Sequence, residues 1–161
     1  MSRQARKPDN SLKLDSFLCF AVYSAGHAFN RVYKPLLDKL GLTYPQYLLM
    51  VALWEQDDQT VGALGEKMFL ESSTLTPLIK RLESLGLLAR TRDPLDERQV
   101  RVRLTAQGKA LREGALEVPP CILDASGLKP EDLRRLTSEI SGLRRALESY
   151  KSDTAAVDRL P

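Results

Sequence analysis

The sequence predicts a mainly α-helical protein carrying one small β-hairpin. Three observations predict it. Apolar residues recur at helical spacing through most of the 161 residues, the spacing changes to two between Leu87 and Thr105, and cations gather around that change. From Ser72 to Gly108 the chain has seven cations against four anions, so this quarter carries the whole net charge of +3. A local basic patch of this kind is what phosphate binding requires.

The first periodic segment spans about residues 12–40, with Leu14, Phe17, Leu18, Ala21, Val22, Ala25, Ala28, Phe29 and Val32 at helical spacing. Gly26 and Pro35 are expected to weaken or bend it. Gly41 closes it as a C-cap. In "TYPQ", Thr43 can cap the next helix while Gln46 reaches back, and Pro45 falls in the first turn, where a missing N–H costs little. That helix runs to about Glu55 and is apolar on every side, so it is expected to be buried. "DDQT" breaks the pattern, and Thr60 is a good N-cap for a short helix with Val61, Leu64, Met68 and Phe69 inward.

A further helix is expected from Ser72 to Leu85, with Leu75, Leu78, Ile79, Leu82 and Leu85 on one stripe and Gly86 ending it. Next, "LLART" and the alternating Val100, Val102 and Leu104 form the hairpin around the charged "RDPLDER". A helix resumes at Ala106 and is expected to stop at Pro119–Pro120, leaving Cys121 on a poorly braced piece. The last helix starts at Pro130. Leu133, Leu136, Ile140, Leu143 and Leu147 then repeat at 3-4-3-4, the rhythm of a helix-pairing seam. The expected organisation is an arm (1–11), a sensor and dimerisation helix region (12–42), a DNA-binding lobe (43–108), C-terminal dimerisation helices (109–150) and a frayed tail (151–161).

Several classes are excluded or left open by composition. The longest apolar run, "YLLMVALW", is too short to span a bilayer. The basic N-terminus is not followed by a signal-type apolar region, so the expectation is a cytoplasmic protein without a membrane partner. His27 is the only histidine and no metal-ligand spacing surrounds it; neither a metal nor a cofactor is expected. Trp54 is expected in the core. Two cysteines, Cys19 and Cys121, argue against a structural disulfide framework and leave inert thiols or redox-active ones as alternatives.

Two short helices, a tight turn and a basic hairpin make a winged helix-turn-helix pattern. With its leucines inward, the second helix presents Ser72, Ser73, Thr74, Thr76, Pro77, Lys80, Arg81 and Ser84 outward. Small hydroxyls can approach base edges and phosphates, and the two cations can neutralise phosphates. Arg90, Arg92, Arg101 and Arg103 flank the hairpin strands. Arg98 at the tip suits a minor groove, and Asp96 is expected to hold its guanidinium. The bland alternative is a solvated charged hairpin on a helical domain.

"TVGALGEKMFLESSTLTPLIKRLESLGLLARTRDPLDERQVRVRLTAQG", with its "DER" tip followed by V-R-L-T…G, resembles the DNA-binding lobe of the MarR family of transcription regulators. The resemblance extends over residues 12 to about 150. It implies an intertwined helical homodimer whose two recognition helices read a palindromic operator in double-stranded DNA.

Within that family, "LCFAVYSAGHAFNRVYKPLLDKLGLTYPQYLLM" resembles the organic-hydroperoxide-sensing, OhrR-type branch. The resemblance implies that Cys19 is the peroxide-reactive thiol and that Tyr33 and Tyr44 of a neighbouring subunit hydrogen-bond it. Tyr23, Phe17 and Phe20 would line the pocket. It also implies the two-cysteine type, in which Cys19 of one subunit pairs with Cys121 of the other and the repressor leaves DNA. Burial among Phe17, Leu18 and Phe20 would raise the thiol pKa, and phenol donors would oppose that. The rivals are a MarR-type regulator sensing a small aromatic ligand, a thiol peroxidase, and an architectural DNA-binding protein without a sensor.

Overall fold

The computed structural model describes residues 12–150. The expected arm and tail, 1–11 and 151–161, lie outside the described residues. The chain divides into two compact units after Val118.

In the first unit, a single 3-10 turn (Leu14–Ser16) precedes α1 (Leu18–Asp38). Neither Gly26 nor Pro35, expected to weaken or bend the segment, interrupts α1. α2 (Tyr44–Glu55) begins at the expected capping box, where Gln46 Oε1 accepts the Thr43 N–H at 2.9 Å. Its apolar residues surround the helix, and it packs against α1, α3, α4, α5 and β3. Leu49, Met50 and Leu53 of α2 are fully buried, together with Leu37, Leu64, Leu75, Ile79, Leu82 and Val102. The core of this unit is thus built around α2.

β1 (Gln59–Thr60), α3 (Val61–Met68), α4 (Ser72–Ser84), β2 (Leu88–Arg92) and β3 (Val100–Leu104) follow. The hairpin is part of a three-stranded antiparallel sheet ordered β1-β3-β2, with Gln59 opposite Val102 and Arg90 opposite Val102 on the other side. The two-residue strand inside "DDQT" is too short to show a period. Thr60 caps α3 as expected, accepting from Ala63 N–H at 3.1 Å. Phe69, expected inward, is the left-handed C-cap of α3 (φ 55) and is 59% exposed. Leu85, expected on the buried stripe of α4, is also exposed, because the helix ends one residue before it.

α5 (Ala106–Ala115) is capped by Thr105, whose hydroxyl accepts from Gly108 N–H at 3.0 Å. The expected stop at Pro119–Pro120 is corrected: α5 ends at Ala115, and the prolines lie in the first turn of α6 (Val118–Ser126). A proline needs no N–H partner there, so the pair is compatible with opening a helix. Cys121 therefore sits inside a helix. In the second unit, α7 (Pro130–Ser149) has Glu131 and Asp132 in its first turn and contains no buried residue. Leu136, Ile140 and Leu147 of its apolar seam are exposed.

Candidate nucleic-acid interface and thiol site

α3 and α4 meet through the turn around Phe69, and α4 presents the expected face. Ser72, Ser73, Thr74, Pro77, Lys80 and Arg81 are exposed, and Thr76 is half-buried. Pro77 lies within α4 without ending it. The Thr76 hydroxyl donates back to Ser72 O at 2.7 Å, so it is engaged by its own helix. A cleft of about 350 Å³ separates α4 from the wing; Thr60, Gly62, Ser72, Thr76, Arg90 and Arg98 are among its lining.

The arginines of the hairpin divide into held and free. Arg90 Nη2 lies 2.7 Å from Glu83 Oε2, so this cation is tied to the end of α4. Arg92 donates to Glu97 O at 3.0 Å. Arg101 bridges Asp58 and Asp93, and Arg103 pairs with Asp58. Arg98, Lys80 and Arg81 make no ion pair among the described residues. The basic patch available to a phosphate is therefore smaller than the residue count suggests. Asp96 does not hold the Arg98 guanidinium as expected. Its Oδ1 accepts the Arg98 backbone N–H at 3.1 Å and its Oδ2 accepts from Gln99 Nε2 at 3.1 Å, which fixes the tip backbone instead.

The thiol region is open within one chain. Cys19 and Cys121 are both free and exposed. Phe17 is 38% exposed, Leu18 62%, and Phe20 is half-buried, so the expected oily enclosure is not closed by this chain alone. Val22, Phe29 and Val32 also leave the apolar side of α1 uncovered.

Tyr33 and Tyr44 come together, with ring centroids 4.6 Å apart. Tyr47, which the sequence reading missed, joins them at 6.0 Å from Tyr33 and stands 6.5 Å from Trp54. Its signal was its position three residues after Tyr44, on the same face of α2. Burial pushes the Tyr33 hydroxyl up to about 12, with the neighbouring Tyr44 and Tyr47 phenols adding to the shift. Burial also raises Tyr44 and Tyr47. All three are thus protonated donors at neutral pH. Tyr23 does not join this cluster; it is exposed and packs edge-on against His27 at 4.4 Å. Ten residues of α1 separate it from Tyr33, about 15 Å along the axis. Trp54 is half-buried, and its indole N–H donates to Gly108 O at 2.9 Å.

A helix pair with hydroxyls and cations on its second member, beside an arginine-tipped three-stranded wing, defines a winged helix-turn-helix transcriptional regulator. Residues 31–114 match the family model described as transcriptional regulator SarA/Rot. The chain is 45% identical over 136 residues to the organic hydroperoxide resistance transcriptional regulator of Bacillus subtilis, covering 84% of this chain and 92% of the relative. It is also similar to AbfR of Staphylococcus epidermidis. The reduced, DNA-bound AbfR structure superposes with a TM-score of 0.69 at 35% identity, over 81% of this chain and 90% of that one. The disulfide-formed AbfR structure gives 0.58 at 33% identity, over 81% and 87%.

The chain belongs to the MarR family of transcriptional regulators, on the branch that includes the Bacillus protein. It is a regulator and not an enzyme, which sets the peroxidase alternative aside. Among the described residues, no helix is long and apolar enough to cross a membrane.

Proposed function

We propose that this protein is a homodimeric, DNA-binding repressor released when organic hydroperoxide oxidises Cys19. The single observation that carries the reading is the separation of thiol and phenols within one chain. Cys19 and Tyr33 both lie on α1, fourteen residues apart, which is about 21 Å along the axis. The half-buried tyrosine cluster therefore cannot serve its own thiol, and a second copy covering the open side of α1 can bring them together. Phenols held protonated by burial can donate to a thiolate and favour that anion.

The chemistry is a two-electron step. The Cys19 thiolate attacks the hydroperoxide, the O–O bond breaks, and an alkoxide leaves and is protonated to the alcohol. The resulting sulfenic acid condenses with the Cys121 thiol of the other subunit, forming the S–S bond and releasing water. In a cytoplasm that keeps thiols reduced, the cycle resets by thiol–disulfide exchange. In the reduced dimer, α4 enters the major groove of each half-site and Arg98 reaches the adjacent minor groove. The disulfide shifts the subunits and spoils that spacing. Support comes from the Bacillus relative's stated role and from the reduced and disulfide-formed AbfR structures.

The pairing is tested with Cys121→Ser. Peroxide treatment is expected to leave sulfenic acid at Cys19, trapped by a dimedone-type reagent, and to give no covalent dimer on a non-reducing gel. A covalent dimer persisting in that variant contradicts the pairing.

A further inference from the structure

The wing is tied to its lobe through the acidic turn that follows α2. Only Gln56, Asp57 and Asp58 separate α2 from β1. Asp57 Oδ1 accepts the backbone N–H of Leu104 at 2.8 Å, at the end of β3. Asp58 takes more. Its Oδ1 accepts Arg101 Nε at 2.7 Å, its carbonyl accepts Arg101 Nη2 at 2.6 Å, and its Oδ2 accepts Arg103 Nη2 at 3.1 Å. The other arm of the Arg101 fork continues outward, donating from Nη1 to Asp93 Oδ2 at 3.0 Å. Asp93 is buried. Its Oδ1 accepts the Leu95 N–H at 2.8 Å and its own N–H donates to Gln99 O at 2.9 Å, which closes the base of the tip that carries Arg98.

Asp58 also has a left-handed backbone (φ 57), which glycine adopts freely and aspartate or asparagine only occasionally. A sparsely populated conformation persists only where its surroundings fix it, and here the contacts are the Asp58 N–H donating to Asp57 Oδ1 at 2.8 Å and the two guanidinium groups. An isolated surface ion pair contributes little, but a fork shared between two carboxylates, one of them buried, is a network with defined geometry.

We infer that Asp58 is the positioning residue of the wing: through Arg101 and Asp93 it holds the tip, and with it Arg98, at a fixed angle to α4. The inference rests on the DNA-reading role proposed above and names the group that makes the wing rigid enough to act in it. Asp58 itself need not touch DNA. Its carboxylate turns two β3 arginines into struts, and Arg98, which makes no ion pair among the described residues, is left at the tip.

The test uses the full-length protein and a duplex carrying the palindrome that the wild type selects from a random pool. Asp58→Asn keeps a residue that tolerates the left-handed backbone and removes the charge. Arg101→Lys keeps the charge and loses the fork, so it reports geometry alone and stands in if Asp58→Asn folds poorly. Each is expected to weaken binding about tenfold, the scale of losing one well-placed contact. Hydroxyl-radical protection beneath the wing should be lost, with α4's major-groove protection retained. Combined with Arg98→Ala, either change is expected to add nothing beyond Arg98→Ala alone, because both act through the tip.

Losses that multiply in the double variants would overturn the inference, as would wild-type affinity and footprint in Arg101→Lys. A wild-type protein that selected no duplex would remove the DNA-reading role itself, and the role of Asp58 with it.

Discussion

Gly108 sits where the first turn of α5 crosses the start of the wing, and we predict that Gly108→Ala unseats that junction. A Cβ there would lie 2.1 Å from Leu87 O, 3.1 Å from Leu87 C and 3.3 Å from Leu104 Cδ2. The nearest obstacle is backbone and cannot swing aside. Relieving it means parting α5 from Leu87 by about 1 Å, at overpacking costs of about 1–3 kcal/mol. Two hydrogen bonds cross the same gap, Thr105 N–H to Leu87 O at 3.1 Å and the Thr105 hydroxyl to Gly86 O at 2.6 Å. Losing them adds about 1 kcal/mol each. Better helix propensity returns about 1 kcal/mol, which leaves a net loss of about 2–4 kcal/mol.

Gly114, in the same helix, is the control. Its Cβ would meet only Leu40 Cδ2 at 3.1 Å, the movable end of a side chain. Gly114→Ala is expected to be neutral or to stabilise by about 0.5–1 kcal/mol. Urea unfolding of both variants at one protein concentration separates them. The midpoint of Gly108→Ala should fall by on the order of 1–2 M, at slopes of roughly 1–3 kcal/mol per M. Coincident midpoints for the two variants would refute the reasoning.

Further expectations concern charge. Arg98→Ala should flatten the dependence of log affinity on log salt by about one per subunit, whereas Arg90→Ala, whose guanidinium is already held by Glu83, should change it less. Equal slopes for both would contradict the division into free and held arginines. Tyr33 is raised to about 12 in the fold, against about 10 in an unfolded chain. Its stabilising contribution is whole below pH 10 and is lost between about 10 and 12, so Tyr33→Phe should flatten that part of the stability profile. An unchanged fall through the same alkaline window would exclude the buried phenol as its source. Asp58, lowered to about 2 chiefly by its hydrogen bonds to Arg103 and Arg101, works in the opposite direction. Its contribution is present above about pH 4 and fades as pH falls toward 2; Asp58→Asn should remove that acid-side slope in denaturation curves.

Much of the lobe was legible because local signals agree with the final packing. Gln46 reaches back to Thr43 as the capping box requires, and the all-round apolar "YLLMVAL" becomes the buried helix at the centre of the core. The V-R-L-T…G run turned out to have a mechanical meaning: Thr105 caps α5, and Gly108 permits its close passage over Leu87. What escaped was non-local. Arg101 and Asp58 are 43 residues apart, and a charged pair in a turn looks solvated until β1 brings it against β3. Phe69 looked apolar and therefore inward, but the chain reversal between α3 and α4 takes its backbone into the left-handed region. Pro119–Pro120 carried a signal with two meanings, and the structure uses them to open α6. On α1 the pattern was read as burial, and the chain leaves those residues exposed. The burial here is that of one chain.

The central claim is that oxidation at Cys19 governs DNA binding, and one titration tests it most directly. The reduced wild type and Cys19→Ser are each bound to the selected duplex, and an alkyl hydroperoxide is added while fluorescence anisotropy is followed. The account predicts that the wild type dissociates near one equivalent per subunit and rebinds after a dithiol is added, while Cys19→Ser stays bound throughout. Release of Cys19→Ser at the same peroxide dose, or release of the wild type by a non-oxidising aromatic ligand with peroxide inert, would contradict it.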